Sequence, residues 1–412
     1  MRQSELFTKT LKNAPRDEES TNAKLLVRAG FVNKEMAGVY TILPLGIRVM
    51  RKIEQIIRDE MIEIGGQEIF MPSLHPSENW KKTGRWDTYD TLFRFKSFYS
   101  KIEYALGPTH EEIVTPLAKH FILSYKDLPK YVFQIHDKFR DEKRAKSGLL
   151  RGREFLMSDL YSFHRDEKDA DAYYETVKAS YERIFQKIGI GEFTYFTFAS
   201  GGTFSKYSHE FQALTLAGED EIYICQLCRV AVNKEIIKEQ NVCPECQSPK
   251  LQREKAIEVG NIFKLKTRFS DAFGLMYKDE KGVNQKVLMG CYGIGGTRLM
   301  GTIVELFHDD KGIVWPRSVA PFAAHLISLP GGEKAADKLY DEFRNEGDVV
   351  LYEDRAEVSV GEKFADADLM GIPYRVVVSE KTLKTDCAEI KERGKERVEL
   401  IPLQKVVKYV VQ

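Results

Sequence analysis

The sequence has no net charge, no long apolar run and few cysteines. Its 62 basic residues balance 62 acidic ones, so the overall charge indicates neither a nucleic-acid nor a membrane partner. No apolar run reaches the length needed to cross a membrane, and acidic residues interrupt the basic N-terminus, which argues against a signal or transit peptide. Six cysteines among 412 residues do not predict a disulfide framework. We therefore expect a cytoplasmic protein.

Apolar periodicity predicts an α+β region in the first three quarters of the chain. Long helices are predicted at 46–64 and 166–188, each with an apolar stripe that serves as core. The predicted strands are separated by long, irregular connections, which favours an antiparallel sheet over βαβ units. With 43% hydrophobic residues, the chain can form two or three domains. The strands are predicted at 68–72, 131–139, 153–163, 193–199, 272–277 and 285–292.

The pattern changes after Trp315 and Pro316. Apolar strands then alternate with helices, which predicts a small α/β domain with a mostly parallel sheet. We expect the boundary within 317–321. The strands are predicted at 324–329, 348–352 and 373–378, and the helices at 333–346 and 359–370.

Four of the cysteines form two CxxC pairs. Cys225 and Cys228 make the first pair, and Cys243 and Cys246 make the second, with fourteen residues between the two pairs. Thiolates at this spacing can supply four ligands to a tetrahedral Zn²⁺ ion, and a closed site of four cysteines is structural. The alternative is a group of four buried or free cysteines. The spacing favours a small zinc knuckle.

A basic stretch at 139–155, FRDEKRAKSGLLRGREF, carries the residue types that nucleotide chemistry uses. Arg140 can grip a carboxylate or a phosphate with its guanidinium fork. Arg151 can meet further phosphates, and the ring of Phe155 can cover a base. Taken alone, the stretch is equally typical of a solvated basic hairpin.

A glycine-rich segment, GCYGIGGTR at 290–298, follows an apolar run and leads into an amphipathic helical pattern. It is therefore interpreted as a strand, a glycine-rich turn and a helix that begins near an arginine. Glycines permit close backbone approach, and a helix N-terminus favours anions. The segment lacks the glycine spacing of a dinucleotide fold and the Gly-Lys-Ser/Thr ending of a P-loop.

The two segments resemble motifs 2 and 3 of class II aminoacyl-tRNA synthetases. Motif 1 is matched by the predicted helix at 46–64, the following Gly65 and Gly66, and a strand that ends at Met71 and Pro72. Further phrases narrow the resemblance to prolyl-tRNA synthetases, and it covers the chain except around 222–256. They are GPTHEE at 107–112, REFLMSDLYSFH at 153–164, SHEF at 208–211, GIVWP at 312–316, VLYEDR at 350–355 and FADADLMGIPYRVVV at 364–378.

The resemblance implies an α+β class II catalytic domain with an antiparallel sheet and a C-terminal α/β anticodon-binding domain. It also implies a homodimer built on motif 1, with L-proline and tRNA(Pro) as substrates and no membrane partner. The expected domains are the catalytic domain at 1–221 and 257–318, the zinc-knuckle insertion at 222–256 and the anticodon-binding domain at 319–412.

The family joins proline and ATP into prolyl-adenylate and pyrophosphate, and then transfers the prolyl group to tRNA. An in-line displacement of this kind depends on positioning and charge neutralisation, and Mg²⁺ is expected to bridge phosphate oxygens. By resemblance, Arg140 bridges the proline carboxylate and the α-phosphate, and Glu142 holds the adenosine side or a metal. The other implied nucleotide contacts are Arg151 and Arg298 at the outer phosphates, Phe155 on adenine and Thr203 on the nucleotide.

Proline carries a secondary ammonium and an apolar ring, so its pocket needs acceptors around nitrogen and tight apolar walls elsewhere. By resemblance, Thr109 and Glu111 bind the nitrogen, and His209 and Cys291 line the ring pocket. Without the resemblance, His209 is equally typical of a hydrogen-bonded core histidine and Cys291 of a small buried hydrophobe.

The anticodon-reading region of the family corresponds to Arg355 and to the trio of Glu389, Lys391 and Arg393. Such side chains read the edges of unpaired bases. The alternative is that the trio forms a surface ladder of salt bridges and that the basic run at 391–397 is a solvated helix face.

Only some thirty-five residues, between Tyr223 and Val259, stand where many bacterial relatives carry a large editing domain. An apolar pocket for proline cannot strongly exclude alanine, because missing methylenes cost only about 1–3 kcal/mol. We therefore expect alanine to be misactivated and not cleared within this chain. Two alternatives remain open: a class II synthetase for threonine, serine, glycine or histidine, and a non-catalytic synthetase-like protein.

Overall fold

The computed structural model describes residues 1–201, 207–347 and 349–411. The chain forms two compact units, one from residues 1–35, 40–52 and 303–412 and the other from residues 36–39 and 53–302. Within the described ranges, no helix combines the length and the apolar character that a membrane span requires. The helices are α1 (Thr21–Arg28), α2 (Pro44–Glu63), α3 (Ser77–Lys82), α4 (Glu111–Ala118), α5 (Glu167–Ile188), α6 (Arg268–Phe273), α7 (Gly296–Leu306), α8 (Glu333–Asn345), α9 (Val360–Met370), α10 (Glu380–Leu383) and α11 (Leu403–Val411).

The strands are short except for those that form the centre of the larger unit. Up to the glycine-rich segment they are β1 (Val32–Met36), β2 (Val39–Ile42), β3 (Gln67–Glu68), β4 (Leu74–Pro76), β5 (Arg94–Lys96), β6 (Glu103–Leu106), β7 (Lys130–Phe139), β8 (Glu154–His164), β9 (Thr194–Ser200), β10 (Tyr207–Leu214), β11 (Asp220–Cys225), β12 (Val230–Asn233), β13 (Gln252–Lys266), β14 (Met276–Lys278), β15 (Asn284–Lys286) and β16 (Leu288–Ile294). The rest are β17 (His308–Asp309), β18 (Gly312–Ile313), β19 (Ala324–Ser328), β20 (Val350–Glu353), β21 (Tyr374–Val378), β22 (Cys387–Glu392) and β23 (Val398–Pro402).

A nine-stranded sheet organises the larger unit, in the order β10-β9-β12-β11-β13-β16-β8-β7-β3. Its central pairs are antiparallel, which confirms the predicted α+β class. Parallel pairing occurs between β3 and β7 and between β9 and β12. The strand predicted at 272–277 is present only at its end, where β14 covers Met276–Lys278. Its first part was wrong, because α6 occupies Arg268–Phe273 and Gly274, with φ +62°, follows it.

Five strands at one end of this sheet close into a ring. Strand β10 pairs with both β9 and β13, β13 also pairs with β11, and β12 joins β11 to β9. The predicted knuckle insertion therefore contributes two strands, β11 and β12, to the sheet, and neither was predicted. The apolar interior of the ring is formed by Tyr195, Ile222, Ile224, Ala231 and Ala256.

Helix α5 covers one face of the central strands. Asp166 caps its N-terminus by accepting from the Asp169 amide, and Gly189, with φ +97°, caps its C-terminus. Its tyrosines pack on the sheet, and the ring of Tyr173 stacks on that of Tyr131 with centroids 3.7 Å apart. The opposite face of the central strands carries the polar cluster described below.

The smaller unit contains a five-stranded sheet in the order β20-β19-β21-β22-β23. Strand β19 pairs in parallel with β20 and β21, whereas β22 is antiparallel to both β21 and β23. The prediction of a mostly parallel sheet was therefore wrong, because two antiparallel strands were not predicted. The basic run that begins at Lys391 lies at the end of β22 and in the turn after it, so the alternative of a solvated helix face is also excluded.

Candidate active site

Strand β8 presents one polar face through the alternation of its side chains. Phe155, Met157, Asp159 and Tyr161 point to the same face because they are two residues apart. Cys291 of β16 lies directly opposite Tyr161 in the antiparallel register. The face away from α5 therefore brings motif 2 and the glycine-rich segment together.

Three residues predicted to bind proline meet on this face. The Thr109 hydroxyl donates to Oε2 of Glu111 at 2.6 Å, and the Cys291 thiol donates to Oε1 of Glu111 at 3.2 Å. Burial raises the pKa of Cys291 well above its ordinary value, which keeps the thiol protonated as a donor. The carboxylate of Glu111 is fully buried. A buried carboxylate beside a small side chain suits an ammonium on a compact apolar ligand.

Sequence reasoning missed three residues that complete this cluster. Arg85 Nη1 donates to Glu111 at 3.3 Å and to both oxygens of Glu112 at 3.0 and 3.1 Å. The Tyr161 hydroxyl accepts from the amide of His110 at 2.9 Å. The period-two alternation in the predicted strand at 153–163 places Tyr161 beside Asp159, whereas no sequence signal connects Arg85 with the two glutamates.

A buried ion pair lies beside the cluster on the same face. Lys138 Nζ contacts Asp159 Oδ1 at 2.7 Å, and Gln134 Nε2 donates to Asp159 Oδ2 at 3.0 Å. Lys138 is fully buried. Burial lowers the pKa of nearby His75 to about 4, so this ring is neutral. The pair adds no net charge to the face.

His209 lies on the other face of the sheet, so the structure does not bring it to Cys291. It pairs in register with Ile262, whose own neighbour across the sheet is Tyr292 rather than Cys291. Its ring Nδ1 is 2.6 Å from the Tyr174 hydroxyl of α5. Burial lowers the pKa of His209 to about 4. These contacts are typical of a hydrogen-bonded core histidine.

Arg140 connects the carboxylate cluster to the basic stretch. Its Nη2 lies 3.5 Å from the carbonyl oxygen of Pro108, next to Thr109, and its guanidinium lies 5.1 Å from the centre of the Phe155 ring. Its Nε is buried and has no hydrogen-bond partner among the described residues. The guanidinium therefore retains donor capacity between the two predicted substrate regions.

Arg151 of the basic stretch at 139–155 forms ion pairs that other ions can displace. Arg151 Nη2 contacts Oε2 of Glu142 at 2.7 Å, and Arg151 Nη1 pairs with Glu219. The Arg151 side chain is 41% exposed, so solvent screens these pairs. The structure thus brings two predicted nucleotide contacts together and adds Glu219, which the sequence did not indicate.

Arg298, in the first turn of α7, completes the basic region. Its Nε donates to the carbonyl oxygen of Leu150 at 2.9 Å, one residue before Arg151, and its Nη1 donates to the carbonyl oxygen of Glu258 at 2.6 Å. The carboxylate of Glu258 also lies 3.8 Å from Arg298 and accepts from Asn261 at 2.6 Å. Thr203, the remaining predicted nucleotide contact, lies outside the described residues.

The four paired cysteines converge. Their sulfur atoms all lie within 4.8 Å of one another, and the sulfurs of Cys225 and Cys246 are 3.7 Å apart. Zn–S bonds of about 2.3 Å at tetrahedral angles place sulfurs about 3.8 Å apart. The residues that follow the two CxxC turns, Arg229 and Gln247, both have positive φ angles, of +56° and +60°. The donor set therefore fits Zn²⁺.

The predicted anticodon contacts fall into two groups in the smaller unit. Arg355 is engaged by Glu353 and by Asp366, the latter at 2.8 Å. Arg393 donates to both carboxylate oxygens of Asp309 at 2.5 and 2.6 Å. The remaining residues of the trio, Glu389 and Lys391, lie two positions apart on β22, and Lys391 pairs in register with Arg375. The trio therefore projects from a strand and its end.

Comparisons with known proteins identify two families of domain in the chain. A family model described as tRNA synthetase class II core domain (G, H, P, S and T) matches residues 93–307, and a model described as anticodon binding domain matches residues 319–412. A prolyl-tRNA synthetase of Giardia lamblia, solved in complex with prolyl-adenylate, superimposes with a TM-score of 0.78 at 19% identity. It covers 94% of this chain and 75% of the Giardia chain, and at that identity it shows the fold. The fold-class prediction is thereby confirmed.

Curated relatives extend the similarity over nearly the whole chain. A proline–tRNA ligase of Moorella thermoacetica is 32% identical across 98% of this chain and 97% of its own length. A proline–tRNA ligase of Wolbachia pipientis wMel is 37% identical across 99% of both chains. The predicted domain boundaries at residues 221, 256 and 318 stay predictions. The chain belongs to the prolyl-tRNA synthetases, the class II ligases that join proline to tRNA.

Proposed function

We propose that this chain attaches L-proline to tRNA(Pro) in two steps, through an enzyme-bound prolyl-adenylate. The observation that carries this proposal is the buried carboxylate of Glu111, which accepts hydrogen bonds from Thr109 and Cys291. Arg140 contacts the carbonyl oxygen of Pro108, the residue before Thr109. Glu111 and Thr109 accept from the secondary ammonium of proline, and Cys291 forms a wall against its ring. His209 has no part in this pocket because it lies on the opposite face.

The basic residues position ATP for attack at its α-phosphorus. Arg140 holds the proline carboxylate and the α-phosphate together, which converts the encounter of two anions into an oriented reaction. Phe155 lies under this guanidinium and offers its ring to adenine, and Arg151 and Arg298 bind the outer phosphates. Thr203 remains a predicted nucleotide contact.

Mg²⁺ is the expected companion of ATP, and it neutralises phosphate charge in the displacement. Carboxylates adjacent to the phosphate-binding arginines are suitable oxygen ligands. Glu142 and Glu219 lie beside Arg151, and Glu258 lies beside Arg298. These carboxylates would hold the ion close to the arginines that bind the phosphates.

The smaller unit is proposed to read the anticodon of tRNA(Pro). Lys391 and Arg393 line a cleft with Arg375, and the cleft presents donors to base edges. The cations at Arg355 and Arg393 are already neutralised by Glu353, Asp366 and Asp309. Lys391 is therefore the most available cation of the predicted set, with Glu389 two residues away on the same strand.

We propose that alanyl-tRNA is not hydrolysed within this chain. The alignment with the Moorella relative spans 559 positions, far more than the 412 residues of this chain, whereas the alignment with the Wolbachia relative spans 429. The longer relative therefore carries extra sequence that this chain lacks. Residues 222–256 contribute to β11, β12 and the start of β13 and carry the two cysteine turns, which supports the proposed absence of a separate hydrolytic domain.

A structural Zn²⁺ ion is proposed for Cys225, Cys228, Cys243 and Cys246. The ion would tie the two turns that join β11, β12 and β13, and it would thereby stabilise the ring of strands. Elemental analysis of purified protein should find about one zinc per chain. Cys243→Ser, with its buried ligand removed, should lower the zinc content and the unfolding temperature. A folded, active and zinc-free preparation would refute the site.

A homodimer is proposed on motif 1. The exposed apolar side chains of Ile62 on α2 and Phe70 after β3 offer surface for a second copy. Sedimentation of the active enzyme should show a dimer, and a strictly monomeric active species would contradict it.

Amino-acid-dependent ATP–pyrophosphate exchange tests the activation step directly. Proline should give the strongest exchange, and alanine a weaker but measurable one, with threonine, serine, glycine and histidine near background. Charging of tRNA(Pro) with radioactive proline tests the second step. Folded protein that shows no exchange with any amino acid would favour a non-catalytic role.

A further inference from the structure

Two adjacent carboxylates share one buried guanidinium at the proposed proline pocket. Arg85 Nη1 lies 3.0 and 3.1 Å from the two oxygens of Glu112, but 3.3 Å from Glu111. Thr83 also donates to Glu112, at 2.9 Å. Arg85 is therefore held more closely by Glu112 than by Glu111.

Burial strengthens the interactions among the charges of Arg85, Glu111 and Glu112. The side chains of Arg85, Glu111 and Glu112 are at most 2% exposed, so water screens their charges little. The guanidinium of Arg85 lies among the rings of Trp80, Tyr89 and Phe269, 4.8 to 5.4 Å from their centres. With all three groups ionised, the cluster has one negative charge in excess. An excess charge in such a site is costly until a cation joins it.

We propose that Glu112 and Arg85 are positioning residues that set proline affinity. Glu112 forms the closer ion pair with Arg85, so the negative charge of Glu111 remains available to pair with the ammonium group of proline. Neither residue touches proline in this proposal, because both act through Glu111. The idea rests on the proposed role of Glu111, and it explains why a second buried glutamate follows the first.

The decisive variant is Glu112→Gln, which removes the competing charge without changing the shape. Arg85 then has Glu111 as its sole carboxylate partner in the cluster. At pH 8, where Glu112 of the wild type is ionised, the KM for proline in ATP–pyrophosphate exchange should rise about tenfold. The KM for ATP should stay within about twofold, since the phosphate contacts lie elsewhere.

The double variant Arg85→Met with Glu112→Gln separates charge from architecture. It restores one negative charge, and a methionine suits the aromatic surroundings of Arg85. The KM for proline should return to within about threefold of the wild-type value. The second substitution would then reverse the effect of the first, whereas structural damage from two substitutions would accumulate. Arg85→Lys keeps the positive charge and should change the KM for proline less than Glu112→Gln does.

Glu60→Gln is the matched control, because Glu60 is another buried carboxylate of the same unit, paired with Arg183 and Lys187. It should leave the KM for proline unchanged. An unaltered KM for proline in Glu112→Gln, or a double variant as impaired as the single one, would overturn the proposal. A larger effect of Arg85→Lys than of Glu112→Gln would also overturn it. If Glu112→Gln does not fold, the double variant carries the test, and a KM for proline more than about threefold above the wild-type value would overturn the proposal. A wild type without proline-dependent exchange would refute the proposed function itself.

Discussion

The two ends of the candidate site hold their charges in different ways. At the proline end, Glu111 is fully buried and receives hydrogen bonds from Thr109 and Cys291 at fixed distances. At the phosphate end, Arg151 is 41% exposed and pairs with Glu142 and Glu219. The first arrangement is shielded from water and hydrogen-bonded, whereas the second consists of pairs that other ions can displace.

The difference follows from the two substrates. Proline has a single ammonium and a ring without polar groups, so discrimination depends on one correctly placed buried charge. A triphosphate brings several charges and a metal ion, and it can compete for arginines that carboxylates hold in the meantime. Burial therefore serves selectivity at one end, and exposure permits exchange of partners at the other.

The largest expected effect is at Arg140, which connects the two ends. Arg140→Ala should lower kcat/KM for ATP–pyrophosphate exchange about a thousandfold, because one group aligns both anions in the transition state. The fold should persist, since among the described residues this side chain makes a single long hydrogen bond, to Pro108. Exchange kinetics and circular dichroism would measure both quantities.

Arg144→Ala is the matched control for that variant, since Arg144 is an exposed arginine of the same loop. It should leave exchange unchanged. Substantial turnover in Arg140→Ala would remove this residue from the centre of the mechanism.

A smaller effect is expected at the exposed end. Arg151→Ala should raise the KM for ATP about tenfold and leave the KM for proline nearly constant, since one charge-assisted contact is lost. The rise in the KM for ATP should be smaller at high salt, because dissolved ions screen the attraction between the exposed Arg151 and the phosphates. Lys143→Ala is the control, since Lys143 is an exposed residue of the same loop. If Arg151→Ala raised the KM for proline as much as the KM for ATP, the distinction between the two ends would be lost.

The smallest effect concerns the pH dependence of stability at the buried end. Burial raises the pKa of Glu112 from 4.5 to about 7. Between these values the folded state holds a proton that the unfolded state has released, so stability falls as pH rises through this window. Relative to Glu112→Gln, the wild type should lose up to about 1.4 kcal/mol of unfolding free energy per pH unit.

Urea denaturation of both proteins at pH 5, 6, 7 and 8 measures this difference. At pH 8 the Glu112 carboxylate is ionised, so the free energy of unfolding of Glu112→Gln should exceed that of the wild type by the largest amount. Parallel stability curves would show that Glu112 is not a strained buried acid, and they would weaken the contrast between the two ends.

Much of the fold could be predicted from local patterns. The helix predicted at 166–188 and the strand at 131–139 agree with α5 and β7 to within a residue, because long periodic stretches carry their own signal. Strands β10 to β13 were missed, since they are stabilised by ring closure with partners distant in sequence. The knuckle was predicted from cysteine spacing alone.

The assignment of individual site residues shows the same limit. Thr109, Glu111 and Cys291 were found through motifs and do converge, whereas His209 belongs to a strand that was not predicted. The face to which a strand residue points depends on register, and an unrecognised strand has no assigned face. Arg85 was missed because 26 residues separate it from Glu111.

Sequence alone therefore determines the chemistry that this protein can offer: its arginines, its carboxylates, its thiols and the spacing of its motifs. Those properties are covalent and local, so they can be interpreted before folding. Only the tertiary structure decides which side of the sheet each group occupies, which carboxylate claims the buried guanidinium of Arg85, and which arginines stay in water. Those outcomes depend on strand register and on burial, and both arise from contacts between residues far apart in the chain.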